Sequence, residues 1–411
     1  MRGLTKEQKI LLNLAAMSVS KTPSSLVLPK EELDGVDWQT VMGEALAHTI
    51  SLATYDAAAV YKEYIPEETC SAWKMLGLKA LKSVFGVSQA QSELVKILEE
   101  NGVRYAILKG TSAAAYYPKP DLRALGDVDF LIDPNEKEEI GRLLETKGYE
   151  KSHEEDATHI VFQKPKAYLE MHLKVAGVPD GEKGERLREF FKNALAETVR
   201  RRHGENAFNG MDDVHHGVVL LLHMQHHMFS AGFGLRHLCD WAAYVAKTQN
   251  EPFWTEKLIP LFKETGLMKY AAVVTKICAR YLHVSCPDWA VETDEALCEE
   301  LICDILSSGN FGRKNEDRAK SAILIAKHGE KKRSAFGMLA YKLHVSILYR
   351  YPIVKKVWIL YPFVYAWKAL RNLFFILIGK RASIGKIKPE AQKRQKIYEK
   401  LQVFEPNAEE K

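Results

Sequence analysis

At 411 residues, with 46% hydrophobic and 27% charged content and a net charge of +5, the chain has a folded protein's balance and room for about two or three domains, which excludes a disordered or low-complexity polypeptide. Six cysteines (Cys70, Cys239, Cys278, Cys286, Cys298 and Cys303) form no Cys-x-x-Cys pair and no zinc-type spacing with histidine, so reduced core thiols are expected rather than a disulfide framework. The N-terminus is charged and runs into an amphipathic stretch with neither a long apolar run nor a small-residue cleavage site, which predicts a cytoplasmic protein.

Helical periodicity over 6–19, 38–64 and 74–100, punctuated by Pro23, Pro29 and Pro66, makes residues 1–100 an N-terminal helical region. A mixed core over 101–178 follows. Residues 103–108 have the short apolar look of a buried strand, and Lys109-Gly110 comes directly after it, a cation and a flexible backbone at a strand's end. Thr111 or Ser112 could cap a helix opening on Ala113, whose N–H groups and dipole would favour a phosphate. Arg123 would add a planar fork if it turned inward, its bland alternative being a surface loop arginine.

Asp127 and Asp129 lie two apart in Gly-Asp-Val-Asp-Phe-Leu-Ile, so a strand there puts both carboxylates on one face and Val128 and Phe130 on the other. Adjacent carboxylates repel unless a cation bridges them, and hard ions such as Mg²⁺ are held by carboxylates together with substrate phosphates. A helix is expected over 136–147, ended by Gly148. Residues 158–163 and 168–175 read as a hairpin around a four-residue turn, with Glu170 and His172 on one face of the second strand and Leu169, Met171 and Leu173 on the other. Glu170 is the candidate third acid of a two-ion site.

Taken in order, Leu108-Lys109-Gly110, Arg123 with Gly126-Asp127-Val128-Asp129, and Glu170-Met171-His172 resemble the uncharacterised nucleotidyltransferase family of the DNA polymerase β superfamily, and more distantly the abortive-infection nucleotidyltransferase toxins. Much of that superfamily has Gly-Gly or Gly-Ser where this chain has Gly110-Thr111. The resemblance implies an α+β fold, a small mixed-sheet polymerase-β-like core flanked by helical regions. It also implies attack of an acceptor on the α-phosphorus of a nucleoside triphosphate, with Mg²⁺ or Mn²⁺ as two ions. Asp127, Asp129 and Glu170 would be the metal and catalytic residues, Lys109, Gly110, Thr111, Ser112 and Arg123 the nucleotide-binding ones, and His172 an orienting group. RNA, protein and a small molecule remain open as acceptors, as does a toxin's use of the same chemistry. A non-catalytic nucleotide-binding or membrane-peripheral scaffold is the rival reading, and the intact acid trio argues for the enzyme.

Residues 179–330 read as a C-terminal helical domain, with helices over 185–202, 213–229 and 235–247 and more to about 327. His216, His223 and His227 share a helix face, and Arg236 and Asp240 lie one turn apart. His223 and His227 could bind a metal, while the alternative is a polar inter-helix network of histidines with an Arg–Asp pair. The family resemblance extends to this pattern and implies that these helices close over the nucleotide or its acceptor. The segment 331–411 is basic, aromatic and helical: residues 331–400 hold 17 Lys/Arg against 2 Asp/Glu, around a long apolar run over 357–378 interrupted by Pro362, Lys368, Arg371 and Asn372. It could lie on an anionic membrane, track RNA, or simply dock on the body.

Overall fold

The computed structural model describes residues 3–152, 158–326, 333–351, 353–377 and 384–405. Several of its helices begin where the sequence supplies caps. Thr5 accepts from the Gln8 N–H while the Gln8 side chain accepts from the Thr5 N–H, a reciprocal cap that starts α1 (Lys6–Val19). After α2 (Lys30–Leu33), the helix expected over 38–64 divides into α3 (Trp38–Ala47) and α4 (Ser51–Ala58). Thr49 enters the left-handed region (φ 59°) and the Ile50 N–H donates back to the Ala45 carbonyl, which closes α3 and turns the chain. The next helix, α5 (Glu67–Glu100), starts earlier than expected because Glu67 and Glu68 suit its first turn.

The core then runs through β1 (Tyr105–Ile107), α6 (Thr111–Ala114), β2 (Val128–Ile132), α7 (Lys137–Thr146), β3 (Glu150–Lys151), β4 (His159–Lys164) and β5 (Ala167–His172). The β4–β5 turn is tighter than expected. Lys164 pairs with Ala167, leaving Pro165 and Lys166 to make the turn, with Lys166 at φ 69°. After α8 (Glu182–Phe191) the structure departs from the helix expected over 185–202: β6 (Val199–His203) and β7 (Asn206–Gly210) form a second hairpin about Gly204 (φ 58°). The sheet therefore has seven strands among the described residues, in the order β3-β4-β5-β2-β1-β7-β6. β2 pairs antiparallel with β1 and parallel with β5, and β7 runs parallel beside β1.

Strand alternation gives the sheet two unlike faces. Ile107, Val128, Phe130, Ile132, Leu169, Met171 and Phe208 share one buried core with Val84, Leu94 and Leu98 of α5 and Ile140 and Leu144 of α7. Each such side chain contributes roughly 1.5–3 kcal/mol on burial, so this face fixes the register of the polar one.

The helical part comprises α9 (Asp213–Phe229), α10 (Leu235–Thr248), α11 (Ile259–Thr265), α12 (Met268–Leu282), α13 (Glu295–Ser308) and α14 (Glu316–Ser321). Asp212 caps α9 and Asp294 caps α13, each accepting from two backbone N–H groups. Buried Ile10, Leu11 and Leu14 of α1 join the core of α9, α10 and α12, so the first helix of the chain packs within the C-terminal helices.

The basic stretch behaves in two ways; its positions 331, 332, 352 and 378–383 lie outside the described residues. The last helix, α18 (Ile384–Leu401), docks on the body. Arg394 is fully buried there and donates to the carbonyls of Arg318, Met228 and Ser230, while the Tyr398 hydroxyl donates to Met228. Before it, α15 (Ala335–Arg350), α16 (Ile353–Lys356) and α17 (Tyr361–Leu377) keep many apolar side chains exposed. Among the described residues no helix is long and apolar enough to cross a membrane.

Candidate functional site

With Val128, Phe130, Leu169 and Met171 committed to the core, Asp129, Glu170 and His172 must emerge on the opposite face. The parallel β2–β5 register sets Asp129 directly against Glu170 and Leu131 against His172. His172 Nε2 lies 2.9 Å from Asp129 Oδ1 and 3.5 Å from Glu170 Oε2. The Leu108 N–H donates to the Asp129 carbonyl at 2.9 Å, which extends the β1–β2 ladder and carries Lys109 alongside. Lys109 Nζ then sits 2.5 Å from Asp129 Oδ1 and 3.5 Å from His223 Nδ1 on α9. Gly110, at φ 60°, makes the turn into α6 that a side chain would strain.

Charge balance explains how these groups share one place. Burial works to raise the Asp129 pKa, but Lys109 and the His172 hydrogen bond outweigh it and hold the carboxyl well below its ordinary range. Burial and the Asp129 charge push Asp127 the other way, up to about 6, despite Lys109. Burial alone would lower His172, yet its hydrogen bonds to Asp129 and Glu170 raise it.

The ligand atoms of Asp129, Glu170 and His172 lie within 4.8 Å of one another, and the buried His172 Nδ1 has no hydrogen-bond partner among the described residues. Two converging carboxylates fit a hard divalent ion such as Mg²⁺ or Mn²⁺, with the imidazole as a neighbour that orients both. Asp127 of the expected trio is not in this group of three, although Asp129, Glu170, Lys109 and Arg123 all interact with its charge. It precedes β2 by one residue, so no ladder enforces the alternation assumed for it.

Three of the expected nucleotide contacts have partners within the protein. The Thr111 hydroxyl donates to Gln91 at 2.7 Å and the Ser112 hydroxyl to the Ile107 carbonyl at 2.7 Å, both buried, so neither caps α6. Arg123 is spent on Asp240, with Nε–Oδ1 3.0 Å and Nη2–Oδ2 2.7 Å. The Tyr117 hydroxyl donates to the same carboxylate at 2.8 Å. This two-pronged geometry outcompetes the one-turn Arg236–Asp240 pair expected within α10. Arg236 is left with no hydrogen-bond or ion-pair partner among the described residues, its Nε buried, and burial together with Arg123 lowers its pKa.

His223, His227 and His237 form a second group, with ring centroids 4.3 to 5.5 Å apart and ligand nitrogens within 4.8 Å of one another. Burial holds all three neutral, taking His227 down to about 3 and His223 and His237 well below their ordinary value. Lys109 and Arg236 add to the lowering at each of them. His237, both of whose ring nitrogens are buried without a hydrogen-bond partner among the described residues, was missing from the expected set. Its signal was the step from Arg236 to the next residue on a helix that carries the site. His216 belongs elsewhere, stacked on Tyr116 at 5.2 Å.

A family profile described as "Uncharacterised nucleotidyltransferase" matches residues 34–283, which takes in the sheet, α9, α10 and every residue of the site named above. No curated protein and no solved structure matches the chain.

Proposed function

Because the chain belongs to the uncharacterised nucleotidyltransferase family, we propose that the cleft between the polar face of the sheet and helices α9 and α10 moves a nucleoside monophosphate from a nucleoside triphosphate to an acceptor. A bond forms between an acceptor oxygen or nitrogen and the α-phosphorus, and the bond from that phosphorus to the pyrophosphate oxygen breaks. The observation that carries this reading is the in-register Asp129–Glu170 pair on parallel strands, with Lys109 against Asp129 and, beside Asp127, an Arg236 that has no hydrogen-bond or ion-pair partner among the described residues.

Asp129 and Glu170, with Asp127 beside them, would hold Mg²⁺ or Mn²⁺. When bound, two such ions would neutralise the charge of the triphosphate and of the leaving pyrophosphate. The chain's own groups do the positioning. Lys109 passes from Asp129 to the phosphates, and Arg236 offers them a planar fork. The three histidines sit beside Lys109 and Arg236, whose charges oppose a further cation there and favour phosphate oxygens. Glu170, the more exposed of the two paired acids, takes the acceptor's proton, and His172 holds its orientation. Arg123 and Asp240 tie the loop before β2 to α10 and so set the width of the cleft.

The test incubates the purified protein with each α-labelled triphosphate, Mg²⁺ or Mn²⁺, and total cell extract. Label from one triphosphate should enter an RNA, protein or small-molecule fraction, and Asp129→Asn should abolish it. Triphosphate binding with no transfer into any fraction would instead identify a nucleotide-binding scaffold.

A further inference from the structure

The tail before α18 presents a surface that nucleotidyl transfer does not use. α17 rests on α15 by one side, where the Lys368 ammonium donates to Ser346 Oγ at 3.0 Å and His344 meets the Tyr361 hydroxyl. On its outer side Phe363, Trp367, Leu370 and Phe374 follow at steps of four, three and four, which is one stripe of a helix. They are 70%, 51%, 67% and 57% exposed. Trp358 and Ile359, in the turn just before α17, are 79% and 60% exposed.

A contiguous apolar stripe of this kind marks an interaction site rather than ordinary surface. Its electrostatic setting selects the partner. No Asp or Glu occurs from 331 to 389, and the Arg371 guanidinium lies 4.9 Å from the Trp367 ring. An apolar face bordered by cations matches the boundary between acyl chains and anionic headgroups, with tryptophans at headgroup depth. RNA would require donors on the contact face itself, and this stripe has mainly hydrocarbon. No described helix is long and apolar enough to cross a membrane.

We propose that α17 and the turn before it form an interfacial anchor that lays the Phe363, Trp367, Leu370 and Phe374 stripe into the surface of an anionic membrane while the nucleotidyltransferase body stays in water. The anchor stands independently of the reaction assigned to the cleft.

The full-length protein is mixed with phosphatidylcholine vesicles containing about one-third phosphatidylserine, or with phosphatidylcholine alone, across a salt series reaching about 1 M. Co-sedimentation with the anionic vesicles is expected, with a blue shift of tryptophan emission and a fraction that survives high salt. Trp367→Ser/Leu370→Ser/Phe374→Ser should lower partitioning at least about tenfold while leaving the melting temperature in place, because these side chains touch little of the body. Lys356→Gln/Arg371→Gln should weaken binding to anionic vesicles and leave the salt-resistant part. Should the triple variant fold poorly, brominated lipids must still quench tryptophan emission in the unaltered protein. Absence of vesicle binding, equal binding by a folded triple variant, or lack of quenching would overturn the anchor. So would a dimer that buries the stripe in solution, or binding to total tRNA in place of vesicles.

Discussion

Arg123→Met separates a structural arginine from a phosphate-binding one. The guanidinium and the Asp240 carboxylate are 7% and 4% exposed, and the substitution strands that carboxylate with the Tyr117 hydroxyl as its remaining side-chain hydrogen bond. Breaking a buried pair by removing one partner costs about 3–5 kcal/mol, a large share of the roughly 5–15 kcal/mol that holds a domain folded. Asp240→Leu on the same background removes the stranded charge and should recover most of the loss, since buried pairs exchange nearly evenly for apolar side chains. Tyr117→Phe, which leaves both charges paired, should cost about 1 kcal/mol. Urea unfolding followed by tryptophan emission measures all four proteins near neutral pH. If Arg123→Met stays within about 0.5 kcal/mol of the parent and instead loses triphosphate affinity, the arginine is a ligand and the assignment of a tie is wrong.

Three further outcomes are expected. Arg236→Gln should weaken triphosphate binding at least about tenfold, and monophosphate binding less, while the melting temperature holds or rises because a desolvated cation without a carboxylate is removed; equal losses for both nucleotides would contradict its role. Asp129→Asn should abolish labelling in a protein of unchanged circular dichroism, and retained transfer would remove the paired acids from the chemistry. Asp212 and His215 lie 2.5 Å apart, with burial opposing both charges and their mutual hydrogen bond lowering the acid and raising the base. The raised histidine contributes stability that is complete below its unfolded pKa and fades as pH rises through its folded one; the lowered acid contributes above its unfolded pKa and fades as pH falls. The pair therefore helps most between roughly pH 4 and 6.5. Asp212→Asn, which keeps the cap, should flatten the decline in stability from pH 6 to 8, and an unchanged slope would assign that decline to other groups.

Much of the sheet could be read from alternation alone. Val128 and Phe130 against Asp129, and Leu169 and Met171 against Glu170 and His172, have the period of two that a strand with one buried face must show. The β6–β7 hairpin gave no such signal. β6 is an edge strand of mostly exposed Val199, Arg200 and Arg202 around Arg201, and its charges suited a helix surface equally well. Gly204 was its one local mark. The partners of Arg123 and Arg236 were illegible for another reason. Spacing within α10 suggested Arg236–Asp240, but a carboxylate pairs with whichever guanidinium the tertiary fold aims at it, and the loop before β2 aims Arg123. The inward turn of Thr111 and Ser112 follows from buried acceptors on α5 and β1, which no local pattern records.

The cleft also dictates a schedule for biosynthesis. His172 meets Asp129 across 43 residues of chain, Lys109 meets His223 across 114, and Arg123 meets Asp240 across 117. Contacts of such long sequence separation close late, because the entropy of each loop is lost before its contact is gained. A ribosome that has released β5 has made both paired acids, yet the arginine and histidines of α9 and α10 are still to come. The nascent protein thus has Lys109 and the paired acids before it has Arg236. A product ending before α10 would carry Lys109 and the paired acids without Arg236 and His237, and on the proposed reading it should bind triphosphate more weakly than the whole chain.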